Sequence, residues 1–369
     1  MDGHAISLAP HFSIWYTSRV RYRTLGSTGI TVSTQCLGTM MFGEWGRTDE
    51  AECKRILGVA LDGGINFVDT ADVYAFGESE TILGHTLKGR RDDVVLATKF
   101  SQPMSEDPNR RGNSRRWIMR AVEESLRRLQ TDWIDLYQVH RPDESTDIEE
   151  TLSALSDLVH QGKIRAFGCS TFPAHQIVEA RAAAERHGLL RFRTEQPPYS
   201  LLARGVEEFV LPLCQRYGMG VLTWSPLAFG FLSGKYRKGG AVDLSSGRPL
   251  LNRERFDPSF PPNAAKYEAV EQLASLAASL GCSLPELATA FPLTHPAVTS
   301  VIIGPRSMQQ LEQALDGASR TLDDEALDQI DEIVPPGIDL YAVNTAWTPQ
   351  ALTDPALRRR PATARAASG

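Results

Sequence analysis

The sequence predicts a closed (β/α)₈ barrel, and three observations carry that prediction. Eight short β-rich runs recur along the chain, at 35–37, 66–68, 94–98, 134–139, 164–168, 191–194, 220–223 and 299–302. Segments with apolar residues at 3.6 spacing lie between them, as at 113–129, 147–160 and 206–217, which favours parallel β/α units. An open doubly wound sheet, the competing architecture, normally carries a Gly-x-Gly-x-x-Gly turn after its first strand, and no such run occurs. Eight units therefore close on themselves. Ahead of them, 21–25 and 30–33 flank a glycine-bounded turn at 26–29 and read as a hairpin placed to plug the N-terminal end of the barrel. A long Gly-, Pro-, Arg- and Ser-rich loop at 236–263 precedes a helix starting near Ala264; in a compact domain such a loop is functional or disordered.

The predicted organisation is an N-terminal extension at 1–19, expected to be disordered, a barrel domain at 20–335, and a C-terminal loop and basic tail at 336–369. The chain has 369 residues, 42% of them hydrophobic, enough to bury a barrel-sized core. A net charge of −6 and a pI near 5.8 argue against nucleic acid or an anionic membrane as partner, since both require a concentrated basic face. Cys36, Cys53, Cys169, Cys214 and Cys282 are odd in number and scattered, without Cys-x-x-Cys or His-Glu-x-x-His spacing, so neither a disulfide framework nor a metal site is expected. No secretion signal or 18-residue apolar window is evident, and the expectation is a reduced, cytoplasmic protein acting on a small molecule. Its oligomeric state is not legible.

Three successive strands each end in an ionisable group: Asp69, Lys99 and His140, with Tyr74 five residues beyond Asp69. In a parallel barrel these strand ends open on one face, where barrel enzymes place catalysis. Taken singly, a strand-end Asp or Lys more often anchors a loop, and a buried His often just bonds a backbone carbonyl; the joint pattern is what points to chemistry. With a reference pKa of about 10, a tyrosine is a poor proton donor at neutral pH. A neighbouring Lys99 ammonium would favour its phenolate, and Asp69 would hold that ammonium in place. His140 could hydrogen-bond a carbonyl oxygen or share a proton with Tyr74. Such a set suits hydride addition to C=O, with the hydride supplied by a cofactor.

Around these residues the sequence resembles the aldo-keto reductase superfamily from about Tyr22 to Trp347. The resemblance rests on Gly64-Ile65-Asn66-Phe67-Val68-Asp69-Thr70-Ala71, Thr98-Lys99, Asp132-Trp133-Ile134-Asp135-Leu136-Tyr137-Gln138-Val139-His140, Lys163-Ile164-Arg165-Ala166-Phe167-Gly168-Cys169-Ser170, Gln196 and Trp224-Ser225-Pro226-Leu227. It implies a (β/α)₈ fold that uses NAD(P)H without a Rossmann domain, and a tetrad of Asp69, Tyr74, Lys99 and His140 with Tyr74 as general acid. It further implies that Ser170 and Gln196 hold the nicotinamide carboxamide and Trp224 stacks on the ring. Gly38, Thr39 and Met40 belong to the implied cofactor site, as do Ser225, Pro226, Leu227, Gly230, Leu232, Ser233 and Lys235, which resemble a pyrophosphate loop. Ile303, Gly304, Arg306, Gln310 and Gln313 match the adenosine-phosphate segment, where Arg306 could pair with a 2′-phosphate and favour NADPH over NADH.

The run from Gly230 to Lys235 is one residue short of a Walker A loop and is followed by Tyr236, which excludes a nucleotide-hydrolase reading. Two departures from the family pattern stand out: Thr171 where many members have Asn, and Gln313-Ala314 in place of a common Glu-Asn pair. Trp45 and Trp117, in segments after the first and third strands, are candidate substrate walls. The resemblance also raises a second reading, a non-catalytic NADPH-binding regulatory subunit like the potassium-channel β subunits; those carry Asn at the position of His140, which favours the enzyme. The segment at 335–340 with Trp347 looks like a bacterial branch that includes reductases of nucleotide-linked keto-deoxysugars.

Overall fold

Apolar residues at every second position make the strands, and their inward faces decide what the barrel contains. The computed structural model describes residues 20–340, apart from 246–248 and 251. Strands β1 (Tyr22–Thr24) and β2 (Thr31–Ser33) form the antiparallel hairpin, with Tyr22 opposite Ser33. Eight parallel strands follow: β3 (Gln35–Gly38), β4 (Phe67–Asp69), β5 (Val95–Phe100), β6 (Ile134–Val139), β7 (Ile164–Ser170), β8 (Thr194–Gln196), β9 (Gly220–Thr223) and β10 (Val298–Ile303). They close as a barrel, β10 pairing with β3. The expected fold class is the observed one.

Leu25, Val32, Cys36, Phe67, Ala97, Leu136, Ala166 and Leu222 form one buried cluster inside the barrel, so two hairpin residues complete its floor. The hairpin can approach because its turn is glycine: Gly26 has φ +52°, and a Cβ there would lie 2.3 Å from the Gly220 amide nitrogen. Two residues further along β4, β5 and β6, the inward positions change from apolar to polar, at Asp69, Lys99 and Gln138, and Gln196 of β8 joins them. The strand period of two thus stacks a polar layer on an apolar floor. Alternate residues such as Val68, Leu96, Tyr137 and Phe167 face out and pack beneath the helices.

Those helices are α1 (Glu50–Asp62), α2 (Glu78–Thr86), α3 (Arg115–Leu129), α4 (Ile148–His160), α5 (Ala174–His187), α6 (Val210–Tyr217), α7 (Ala264–Ser279), α8 (Leu284–Ala290), α9 (Met308–Gly317) and α10 (Asp324–Ile333). Local sequence sets several starts. Asp49 accepts the Ala51 and Glu52 amides at α1, Ser114 accepts the Trp117 amide at α3, and Ser283 with Glu286 forms a capping box at α8.

Three expectations need correction. The sixth barrel strand runs over 194–196 rather than 191–194: Arg193 makes single backbone bonds to Phe167 and Gly220, while Phe192 is buried against Phe167 and Phe172, so the ladder starts only at Thr194. The helix expected over 206–217 is a 3-10 turn at Gly205–Glu207 followed by α6, broken at Phe209. Trp117, a candidate substrate wall, is 1% exposed on the inner face of α3, where it packs as core. The extension at 1–19, Trp347 and the tail lie outside the described residues. No single helix among the described residues is long and apolar enough to cross a membrane.

Candidate active site

Strands β4, β5 and β6 end side by side, and their inward residues meet at the C-terminal rim. Lys99, fully buried on β5, donates to Asp69 Oδ2 at 2.6 Å, to the Thr70 carbonyl at 2.7 Å and to the Tyr74 hydroxyl at 3.3 Å. An ammonium has three protons, and all three are placed. Asp69 Oδ1 in turn accepts from Gln196 Nε2 at 2.9 Å and Gln138 Nε2 at 3.4 Å, so the carboxylate is fixed from β6 and β8 as well. Burial opposes the charge on Lys99, yet the Asp69 carboxylate and the Tyr74 oxygen outweigh it and hold the pKa above the ordinary lysine value.

His140 follows β6, and its ring lies edge-on to Tyr74 with centroids 5.9 Å apart. Burial, together with the positive charges of Arg141 and Lys99, pushes the imidazole well below its usual pKa, so it is neutral at pH 7 and has one N–H to offer. Its Nδ1 is buried without a partner among the described residues. The sequence-predicted four therefore converge: three strand ends deliver Asp69, Lys99 and His140, and a turn at Tyr74–Gly77 returns the phenol over them.

That turn is strained. Ala75, Phe76 and Gly77 have φ of 46°, 51° and 96°, and further non-glycine residues with positive φ are Ser101, Thr171, Ser225, Ala228 and Phe229. All of these follow barrel strands at the same rim; among the described residues only Gln130, the C-cap of α3, lies elsewhere. Each such conformation costs roughly 1–2 kcal/mol for an L-residue, and strain collected at one face marks it as functional.

The remaining predicted residues divide. Trp45 stands 44% exposed beside Tyr74, with ring centroids 6.2 Å apart, on the open side of the phenol. Trp224 presents a partly exposed ring at the end of β9, T-stacked on Phe229. Ser170 donates to the Gln196 carbonyl at 2.8 Å, which ties the two carboxamide candidates together. The left-handed residues Ser225, Ala228, Phe229 and Gly230 curl the following loop, and the Ser225 hydroxyl accepts the Phe229 amide. Arg306 and Gln310 are exposed at the head of α9, where the Gln310 side chain accepts the Arg306 amide; Gln313 is exposed a turn further on. Thr39 is buried among Ser79 and the Asp69 carbonyl, and Leu232 is core, so neither presents a side chain to a cofactor. Gly38 is a packing glycine, since a Cβ would lie 2.7 Å from Ile302.

Sequence reasoning missed Gln138, Arg141, Glu195 and Phe76. Period-two alternation on β6 could have found Gln138, which shares parity with Leu136 and His140. Glu195 lies fully buried behind the rim, where desolvation raises its pKa to about 7 against the Phe172 amide that it accepts. A carboxyl raised in the folded state keeps a proton between about pH 4.5 and 7 that the unfolded chain has released. Its contribution therefore falls as pH rises through that window. Glu195→Gln is expected to gain stability relative to the parent by on the order of 3 kcal/mol between pH 4.5 and 8, measured by urea unfolding. Parallel stability curves for the two proteins would show that the carboxyl is not perturbed.

The parallel barrel thus brings a buried Lys–Asp pair, a phenol and a neutral imidazole together at its C-terminal face, a set able to hold and donate protons. The Aldo/keto reductase family model matches residues 35–335, and the chain belongs to that family. It is 40% identical to the uncharacterized oxidoreductase YrpG of Bacillus subtilis over 86% of this chain and 96% of the relative. It is 39% identical to the aldo-keto reductase YhdN of the same organism, over 85% and 94%. A probable voltage-gated potassium channel β subunit of Arabidopsis thaliana is 36% identical over 85% and 97%.

Proposed function

We propose that this protein reduces an aldehyde or ketone at the expense of NADPH, with Tyr74 donating the proton to the carbonyl oxygen. The observation that carries this reading is the Lys99 ammonium, held by Asp69 and Thr70 so that its third proton points at the Tyr74 oxygen. As negative charge develops on the carbonyl oxygen, the phenol proton passes to it and the ammonium stabilises the phenolate left behind. Lys99 is suited to this because its charge is secured by a raised pKa. His140, being neutral, offers one N–H to the same oxygen and orients the carbonyl without repelling Lys99.

The residues present fit a nicotinamide dinucleotide. Trp224 offers a partly exposed planar ring, Ser170 and Gln196 lie together on neighbouring strands, the curled loop at 225–230 has the backbone shape that takes a phosphate, and Arg306 is exposed. When bound there, NADPH supplies the hydride. Arg306 is the residue proposed to read the 2′-phosphate. Within this class, a nucleotide-linked keto-deoxysugar is the first substrate to assay, following the segment at 335–340, which the bridge between Ala203 and Asp339 fastens to the loop after β8.

A panel of sugar nucleotides, aldehydes and ketones, scored by consumption of NADPH and of NADH, tests the reading. The expected result is carbonyl-dependent oxidation with NADPH preferred. Cofactor binding without reduction of any carbonyl would instead favour a non-catalytic regulatory subunit; the Arabidopsis relative is named as a probable channel subunit.

A further inference from the structure

Arg141 follows His140 directly, and neither the family resemblance nor the tetrad gives it a task. Its guanidinium is packed inside the rim: Nη1 donates to the His140 carbonyl at 2.5 Å and to the Thr171 hydroxyl at 3.3 Å, and Cζ stands 6.0 Å above the Trp224 ring. Every one of these contacts is to a neutral group. No carboxylate among the described residues approaches within ion-pairing distance, whereas Arg91 pairs with Asp135 and Arg128 with Glu80. Nη2 and Nε make no hydrogen bond to any described residue. The charges that Arg141 senses are the Tyr74 oxygen and Glu195, and desolvation lowers its pKa. Glu195 makes no ion pair with it: burial pushes that carboxyl up to about 7, and its bonded oxygen accepts the Phe172 amide instead. Three of its five N–H groups, on the two nitrogens Nη2 and Nε, are left for a ligand, and a guanidinium drawn partly out of water gains from an oxyanion that completes it.

We infer that Arg141 is an oxyanion subsite of the reducing centre, and that the carbonyl compound this protein prefers carries a carboxylate or phosphate that Nη2 and Nε of Arg141 grip while the carbonyl oxygen faces Tyr74 and His140. The inference rests on the reductase reading and narrows its substrate. A planar fork with two free donors matches an oxyanion geometrically, and a charge-assisted pair in a partly dry site is strong enough to select. A neutral ketone of the same shape would leave the guanidinium unpaired. Arg141 is on the same rim as Thr171, the position where this chain departs from the family's Asn, so the anion contact and the departure belong to one local arrangement.

The test compares matched carbonyls that differ in one charge. Phenylglyoxylate is paired with its methyl ester, and glyceraldehyde 3-phosphate with glyceraldehyde; the first pair reports a carboxylate and the second a phosphate. The parent is expected to favour the charged member of at least one pair in kcat/KM by about 30-fold or more, and Arg141→Met to lower that ratio at least tenfold, through KM. Arg141→Lys, which keeps the charge without the fork, is expected to recover part of the ratio; equal loss in both variants would indicate a packing role and overturn the proposal. An Arg141→Met protein that weakens NADP⁺ binding tenfold with the ratio intact would assign the residue to the cofactor and likewise overturn it. Calorimetric titration of the NADP⁺-loaded protein with mandelate decides the point without turnover: binding at least tenfold weaker in Arg141→Met supports the subsite, and equal binding refutes it. Should no carbonyl be reduced at all, the reductase reading fails, while the titration still judges the subsite by itself.

Discussion

Tyr74→Phe is expected to lower kcat for carbonyl reduction by about three orders of magnitude, with the Kd for NADPH changed by less than about twofold. The substitution removes one oxygen. That oxygen's only protein hydrogen bond among the described residues is the 3.3 Å contact from Lys99, which keeps its bonds to Asp69 and Thr70 in the variant. The ring's edge-on contact with His140 and its packing beside Trp45 do not need the hydroxyl, so the pocket keeps its shape. Binding and chemistry should therefore separate cleanly. Single-turnover kinetics alongside a fluorescence titration of NADPH make the comparison, and a single-turnover rate within about tenfold of the parent would remove Tyr74 from the mechanism.

Lys99→Met acts on stability as well as on rate. Methionine fills a similar volume but leaves Asp69, 2% exposed, with only the Gln196 and Gln138 amides for company. Removing one partner of a buried pair costs about 3–5 kcal/mol, because the stranded charge remains out of water. The variant should unfold at a markedly lower urea concentration and lose activity. Adding Asp69→Asn removes the stranded charge and is expected to restore most of the stability, yet reduction should stay impaired because nothing then steadies the phenolate. A double variant that regains both stability and turnover would show that the pair is a structural device. Unfolding of Lys99→Met at the parent's urea midpoint would show that the pair is not the buried, mutually dependent unit described.

Much of this is legible in the sequence, for particular reasons. A barrel repeats one local unit, so strand positions could be read from short apolar runs, and the strand ends then named Asp69, Lys99 and His140 because parallel strands share one open face. Errors fell where a residue's surroundings come from distant chain. Phe192 looks like strand but is packed as loop between Phe167 and Phe172. Trp117 is the exception, a candidate substrate wall whose place on one face with Ile118, Ala121 and Val122 in a helical period already points inward.

By itself the sequence determined the parallel alternation, the floor of the barrel and the identity of the ionisable groups at the strand ends, since these depend on periods of two and 3.6 within short windows. Tertiary structure alone decided the rest. Closing the barrel brings β8 round to β4, so that Gln196 reaches Asp69 across 127 residues of chain and fixes the carboxylate that positions Lys99. The same closure surrounds Arg141 with a carbonyl, a hydroxyl and an indole rather than a carboxylate. Whether a charge is neutralised depends on which groups distant segments bring within a few ångströms, and no local pattern records that.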